Sequence, residues 1–408
     1  MKEDNRILNL TPDVKWIGIL DPDIRVFDIV MSTEHGSTYN SYFINAAKKT
    51  VVDTAKEKFS QTYISKLKQV TDPAEISYII LSHTEPDHSG SLRQLLDIAP
   101  QAVLVGSGNA IRYLSDIVNR PFKSLVVKDG DTLDLGNRTL KFVAAPNLHW
   151  PDTIFTYLVE DRILFTCDAF GAHYCTEEIF DDLTGDFEKD FRYYFDVILK
   201  PYSKFMIKAI EKIRPLEISM IATGHGPVLR KNWKRIVDTT EQLARDYLKL
   251  TEISEGKRLL ITYVSAYGYT AKMAELIARG AATVKNVTVE VMDIENANSG
   301  DLDSKLTIAD GIIVGSPTIN QNTLLPVYKL AAMISPLRDK GKLAGSFGSY
   351  GWSGEAPSLI AGMLKNLKLR FFEEPAALKF MPESDKEKTL IEYGERFARE
   401  LVAVSTDA

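Results

Sequence analysis

From Arg258 onward the sequence alternates apolar strand, polar loop and amphipathic helix, and few folds accommodate that order. Arg258 to Ser265 reads as a buried strand, Thr270 to Ala282 as an amphipathic helix, and Val287 to Ile294 as a second strand. Gly311 to Ser316 and Lys342 to Ser349 are further strands, each followed by a polar loop and a helix. Such alternation predicts a doubly wound parallel sheet over residues 258–408. The segment just before it, Thr251 to Lys257, is short and polar and reads as a linker over 251–257.

Residues 1–250 have a different texture. Short strands are expected at Trp16 to Leu20, Ser41 to Ile44, Thr50 to Val52, Tyr78 to Leu81, Ala102 to Val105, Leu140 to Ala144, Ile154 to Val159 and Ile163 to Thr166. Helical patterns at 59–70, 92–98, 110–118 and 233–250 interrupt them without strict alternation, which predicts an α+β unit. With 408 residues, two or three domains can each bury a core. A formal charge of -6 without a basic block argues against nucleic acid as a partner. No run reaches the roughly 18 apolar residues of a membrane span. The polar stretch Met1 to Arg6 lacks the apolar core of a signal peptide. Two cysteines, Cys167 and Cys175, cannot build a disulfide framework or a thiolate cluster. These features predict a cytoplasmic, reduced protein.

The chemistry concentrates in His83-Thr84-Glu85-Pro86-Asp87-His88, four possible metal ligands in six residues directly after an apolar strand. Only six histidines occur in the chain. His149 and His225 also lie in loops after apolar runs, as does Asp168, whose carboxylate could bridge two cations. His173, five residues past Asp168, is a candidate hydrogen-bond partner or proton donor beside the site. Tyr194 could offer its hydroxyl, with core packing as the alternative. His35 is read as structural, and Cys167 is expected to point to the opposite face of its strand.

The order His83-x-Glu85-x-Asp87-His88, His149, Asp168, His225 resembles the metallo-β-lactamase superfamily, which implies an αββα sandwich over residues 1–250. Hydrolases of that superfamily commonly carry histidine where Glu85 stands. A carboxylate there makes the site harder and more anionic, which favours iron over zinc. Joined to a flavodoxin-like half, this form resembles the flavodiiron proteins, or A-type flavoproteins. The resemblance implies one iron on His83, Glu85 and His149, a second on Asp87, His88 and His225, and Asp168 between them.

In the second half, Ser265, Tyr267, Gly268, Tyr269 and Thr270 lie between a strand and a helix, where backbone N–H groups can cradle a phosphate. Pro317, Thr318, Ile319 and Asn320 follow the third strand. Ser349, Tyr350, Gly351, Trp352, Ser353 and Gly354 follow the fourth. All three loops fall at carboxyl ends of parallel strands, where this architecture binds ligands, and Tyr350 and Trp352 suit a stacked planar ring. The set resembles flavodoxin and implies FMN.

Together the two resemblances imply an oxidoreductase passing electrons from FMN to a diiron centre that reduces dioxygen to water, nitric oxide to nitrous oxide, or both. They also imply a head-to-tail homodimer, with a dimer of dimers as a larger form, and a linker too short for self-service agrees. No CxxC pair occurs, so a separate donor is expected: rubredoxin, another flavoprotein or a reduced deazaflavin. The competing readings are a zinc hydrolase with an accessory flavin-binding module, and a non-catalytic electron carrier or redox sensor.

Overall fold

The computed structural model describes residues 6–28, 31–252, 256–383 and 385–403. It divides into two compact units, Met1–Leu248 and Lys249–Ala408.

The first unit stacks two sheets face to face. One has seven strands in chain order: Leu8–Asn9, Val14–Trp16, Tyr42–Ile44, Lys49–Val52, Ile76–Ile80, Val103–Gly106 and Lys123–Val126. Its first four are antiparallel and the rest parallel. The other has five, Thr132–Asp134, Thr139–Ala144, Ile154–Leu158, Ile163–Cys167 and Met220–Thr223, of which only the last pair is parallel.

Side-chain alternation assigns the layers. Val52, Ile80 and Val105 from the first sheet meet Phe142, Ile154, Ile163 and Phe165 from the second in one core. Their neighbours face outward. Val51, Ile79 and Leu104 pack with Tyr63, Leu67, Leu95 and Leu114 of helices Ser60–Val70, Leu92–Ile98 and Gly108–Val118. Val143, Phe155, Leu164 and Ile221 pack with Met206, Ile210, Ile236 and Ala244 of helices Ser203–Ile213 and Trp233–Glu252. This is an αββα sandwich.

Strand direction fixes where loops emerge. Thr139–Ala144 and Ile163–Cys167 are each antiparallel to Ile154–Leu158, so they run the same way, and Met220–Thr223 runs with them. Their carboxyl ends therefore share one rim, which delivers His149, Asp168 and His225 together.

The second unit is a parallel sheet in the order Val287–Asp293, Lys257–Tyr263, Gly311–Gly315, Leu343–Tyr350, with Arg370–Phe371 and Ala376–Lys379 dividing the last place. Helices Tyr269–Ala281 and Asp385–Ala403 cover one face, and Ser299–Ile308, Leu325–Met333 and Ala356–Asn366 the other. The chain reverses direction across the sheet between Lys257–Tyr263 and Gly311–Gly315, a ligand-binding crevice in such sheets.

Several expectations change in detail. Trp16 to Leu20 is not one strand: Val14–Trp16 and Ile19–Asp21 belong to different sheets. A Cβ at Gly18 would lie 2.5 Å from the Tyr39 carbonyl oxygen, so the turn between them needs glycine. Of the expected linker, Thr251 and Glu252 end the helix Trp233–Glu252, Lys257 begins a strand, and 253–255 lie outside the described residues.

Candidate metal centre and flavin loops

The motif His83 to His88 is anchored before it carries any ligand. It follows the strand Ile76–Ile80. Its Ser82 N–H donates to Asp53 Oδ1 at 2.7 Å, and the Thr54 N–H and Oγ1 donate to the His88 carbonyl at 2.7 and 2.8 Å. Pro86 opens a short helix, Pro86–Ser89, whose fixed φ suits a first helical position and which carries Asp87 and His88 inward.

Ligand-type atoms converge in two sets. His83, Glu85, His149 and Asp168 each place one within 4.8 Å of the others, as do Asp87, His88 and His225. In the first set Glu85 Oε2 lies 3.1 Å from His83 Nε2 and 2.9 Å from His149 Nε2. In the second, Asp87 Oδ2 lies 3.0 Å from His225 Nε2 and 3.5 Å from His88 Nε2. Asp168 divides between them. Its Oδ1 is 3.0 Å from His88 and 3.4 Å from His225, while Oδ2 is 3.6 Å from both His83 and His149.

These separations fit ions. Ligand atoms about 2.1 Å from a cation and about 90–109° apart stand roughly 3.0–3.4 Å from each other. Two carboxylate oxygens of these residues, Asp87 Oδ1 and Asp168 Oδ2, are buried without a hydrogen bond. Burial pushes the His83 and His88 imidazoles down, but the surrounding carboxylates outweigh it and hold both well above the usual range. Asp168 is buried too, yet the facing imidazoles hold it well below the carboxylate range. Cations would replace the protons that these pairings retain.

The surrounding groups orient the set. His83 Nδ1 is 3.2 Å from Asp152 Oδ1, and Asp152 Oδ2 accepts from the Thr84 N–H at 2.8 Å and Oγ1 at 2.7 Å. His225 Nδ1 is 2.6 Å from the Thr38 carbonyl. Sequence reasoning did not assign these partners. Asp152, within the string Leu148 to Asp152 that follows a strand, carried a readable signal; the Thr38 carbonyl, a backbone group, carried none.

Tyr194 and His173 both reach the centre. The Tyr194 hydroxyl donates to Asp168 Oδ1 at 3.2 Å. His173 is buried, with Nδ1 2.9 Å from Ser37 Oγ and Nε2 without a partner. Burial, then the charge of His225, pushes its pKa down to about 3, so it is a neutral imidazole at physiological pH rather than a cationic acid. His35 pairs with Asp190 at 2.9 Å, away from the ligand set.

The expectation for Cys167 is overturned. Its sulfur, a His88 ring nitrogen and an Asp168 oxygen all lie within 4.8 Å of one another. Simple alternation fails because the strand slips register between Phe165 and Cys167, and Cys167 has φ +50°. The bulge turns its side chain toward the centre.

The flavin loops meet at the carboxyl end of the second sheet. Helix Tyr269–Ala281 is capped by Gly268 at φ +81°, which contributes no side-chain hydrogen bond. Ser265 Oγ accepts from the Ala271 N–H at 3.3 Å, and the Thr270 and Ser349 hydroxyls are 2.9 Å apart. The Thr318 N–H donates to the Ser349 carbonyl at 2.9 Å, joining the Pro317–Asn320 loop to the Ser349–Gly354 loop. Asn320, at φ +53°, sits in a turn closed by reciprocal Ile319–Asn322 hydrogen bonds of 3.1 Å. Tyr267 and Trp352 are 82% and 78% exposed, so both offer free ring faces. The Tyr350 ring is covered instead: a Cβ at Gly354 would meet it at 3.0 Å.

Comparison with known proteins agrees with both halves. Residues 38–226 match the family described as ODP family beta lactamase, and residues 261–394 match Flavodoxin. The chain is 40% identical over 400 residues to Flavo-diiron protein FprA2 of Clostridium acetobutylicum, covering 97% of this chain and 99% of that protein. It is 39% identical over 396 residues to Type A flavoprotein fprA of Rhodobacter capsulatus, covering 96% and 90%. The flavodiiron protein of Giardia intestinalis superposes with a TM-score of 0.65 at 28% identity, covering 98% of this chain and 97% of that one. Rubredoxin oxygen:oxidoreductase of Desulfovibrio gigas superposes with a TM-score of 0.67 at 27% identity, covering 98% and 100%. With both modules matched in this order, the paired ligand sets in the first, and 40% identity across essentially the whole length of a named member, the chain belongs to the flavodiiron protein family.

Proposed function

We infer that the chain is a flavodiiron oxidoreductase in which FMN and an iron pair, when bound, supply the electron relay and the reducing centre for dioxygen, nitric oxide or both. The observation that carries this reading is Asp168, whose two oxygens face different ligand sets. His83, Glu85 and His149 would hold one iron, Asp87, His88 and His225 the other, with Asp168 bridging. Glu85 contributes a hard anionic oxygen where a hydrolase would present imidazole, which favours iron over zinc.

The chain's own residues prepare the site. Asp152 and the Thr38 carbonyl fix which ring nitrogens of His83 and His225 face inward. Tyr194 holds its proton on the hydroxyl, because burial and the nearby Asp168 raise it well above the ordinary value, and donates that hydrogen bond to Asp168. His173, neutral, packs its ring 4.9 Å from that of Tyr194 and 5.1 Å from that of His225, with Nε2 buried and unpartnered. In the second unit, Ser265, Tyr267, Gly268, Tyr269 and Thr270 would cradle the phosphate of FMN. Pro317 to Asn320 and Ser349 to Gly354 would hold the isoalloxazine, with the exposed Trp352 ring available to stack on it.

We assign residues 1–250 to the metal-binding module and 258–408 to the flavin module, in a head-to-tail homodimer within the cytoplasm, fed by a separate donor. Among the described residues no helix is long and apolar enough to cross a membrane. Rapid mixing of the anaerobically reduced protein with dioxygen or nitric oxide tests the function: flavin and metals should reoxidise together, at two irons per chain. A flavin that stays reduced, or two zinc ions in the isolated protein, would refute it. Sedimentation of a fully active monomer would refute the dimer.

A further inference from the structure

Cys167 has no place in the reading above, yet it stands at the back of the centre. It is 1% exposed, and His88 beside it is fully buried. His88 turns Nε2 toward Asp168 and Asp87, which leaves Nδ1 on the far edge of the ring. Ligating histidines usually donate that second N–H to an acceptor that fixes ring orientation and tautomer. His83 has Asp152 and His225 has the Thr38 carbonyl, but no oxygen or nitrogen accepts from His88 Nδ1.

The polypeptide closes tightly over His88 and Cys167. A Cβ at Gly224 would lie 2.9 Å from His88 Cε1 and 3.1 Å from Cys167 Cα, so only glycine allows the His225 loop to close over both. The Gly224 N–H donates to the Cys167 carbonyl at 2.6 Å and holds that closure. The register slip and the positive φ then bring the sulfur within 4.8 Å of a His88 ring nitrogen. Thiol sulfur is a weak acceptor, but in a dry pocket a weak acceptor is better than none.

We propose that Cys167 is a positioning residue, its sulfur accepting the Nδ1–H of His88 and so keeping the Nε2 lone pair directed at the metal centre. The proposal rests on the two-metal reading of the cluster.

The test is competition titration of the full-length flavoprotein, stripped of metal, with zinc against a chromophoric chelator, comparing wild type with C167S, C167A and C167V. Zinc is the probe because it is redox-silent and reads ligand geometry alone. The wild type should bind two ions. C167A and C167V should weaken one of the two by about 10–100-fold, the range for lost outer partners. C167S, which restores an acceptor, should stay within a few-fold of wild type. A merely structural role gives a different order, since the apolar Ala and Val fit a buried site at least as well as Ser. If Ala and Val bind both ions like wild type, or if Ser is as weak as Ala, the proposal is wrong. If one apolar variant fails to fold, the other gives the same contrast with Ser. Wild type binding fewer than two ions would instead overturn the two-metal reading itself.

Discussion

Asp152 offers the sharpest test of how the centre is held. It belongs to neither ligand set, yet it is fully buried and its carboxylate accepts from His83 Nδ1 at 3.2 Å, the Thr84 N–H at 2.8 Å and Thr84 Oγ1 at 2.7 Å. Asp152→Ala leaves three buried donors without an acceptor. Hydrogen bonds to a charged group contribute about 1.5–3 kcal/mol each and are not additive, and removing one partner of a buried pair costs about 3–5 kcal/mol. The metal-free variant should therefore lose about 3–5 kcal/mol, read by denaturant unfolding. Its His83-side metal affinity should fall about 10–100-fold. The pH dependence carries a sign. Burial raises the Asp152 carboxyl, but His83 and Thr84 outweigh it and leave it below the ordinary value. Its stabilisation is thus fully present above about pH 3.9, the unfolded value, and is lost as pH falls through the lower folded one. The gap between wild type and Asp152→Ala should shrink in acid. Unchanged metal affinity together with a pH-independent gap would refute the reasoning.

Other substitutions test other parts. Trp352→Ala should weaken FMN binding about 2–12-fold, from about 0.5–1.5 kcal/mol of lost ring stacking, measured by recovery of flavin fluorescence; unchanged affinity would remove Trp352 from the site. Gly280→Ala places a Cβ 1.8 Å from the Ile391 carbonyl, where helices Tyr269–Ala281 and Asp385–Ala403 cross, so Tm should fall even though alanine favours an isolated helix by about 0.8–1.0 kcal/mol. A raised Tm would contradict that crossing. Burial pushes the Asp53 pKa up to about 6, so its favourable contribution is full below about pH 3.9 and lost as pH rises through 6. Metal-free Asp53→Asn should therefore gain on wild type by about 3 kcal/mol between pH 4 and 7, and a flat difference would contradict it.

The convergence of these imidazoles and carboxylates was legible because they follow apolar strands directly, and strand direction then brings the loops together. The doubly wound unit was legible because its strands are buried on both faces, as Gly311–Gly315 is throughout. Other elements gave no such signal. Lys123–Val126 is exposed at every residue, so an edge strand there shows no alternation. Arg370–Phe371 and Ala376–Lys379 share one place in the sheet and are each too short for a period. Cys167 was misread because a bulge breaks the two-residue repeat on which the reading depended.

The same topology makes metal loading a stability measurement. His83, Glu85, Asp87 and His88 follow a strand of the seven-stranded sheet, while His149, Asp168 and His225 follow strands of the five-stranded one. Ions held by both sets would fasten the two sheets together, and the unfolded chain cannot reproduce that arrangement. Ligand binding to the folded state alone stabilises it by about 4.1 kcal/mol per site at a thousand-fold excess over Kd. Two sites should therefore raise the unfolding midpoint of the first unit substantially. The flavin unit, which supplies none of these ligands, should not move. Calorimetry of metal-free and metal-loaded protein, each with FMN, should show one transition shifting past a stationary one. Asp168→Ala, which removes the carboxylate spanning both sets, should abolish most of that shift. A shift that survives in Asp168→Ala would mean the two ion positions are independent rather than one bridged centre.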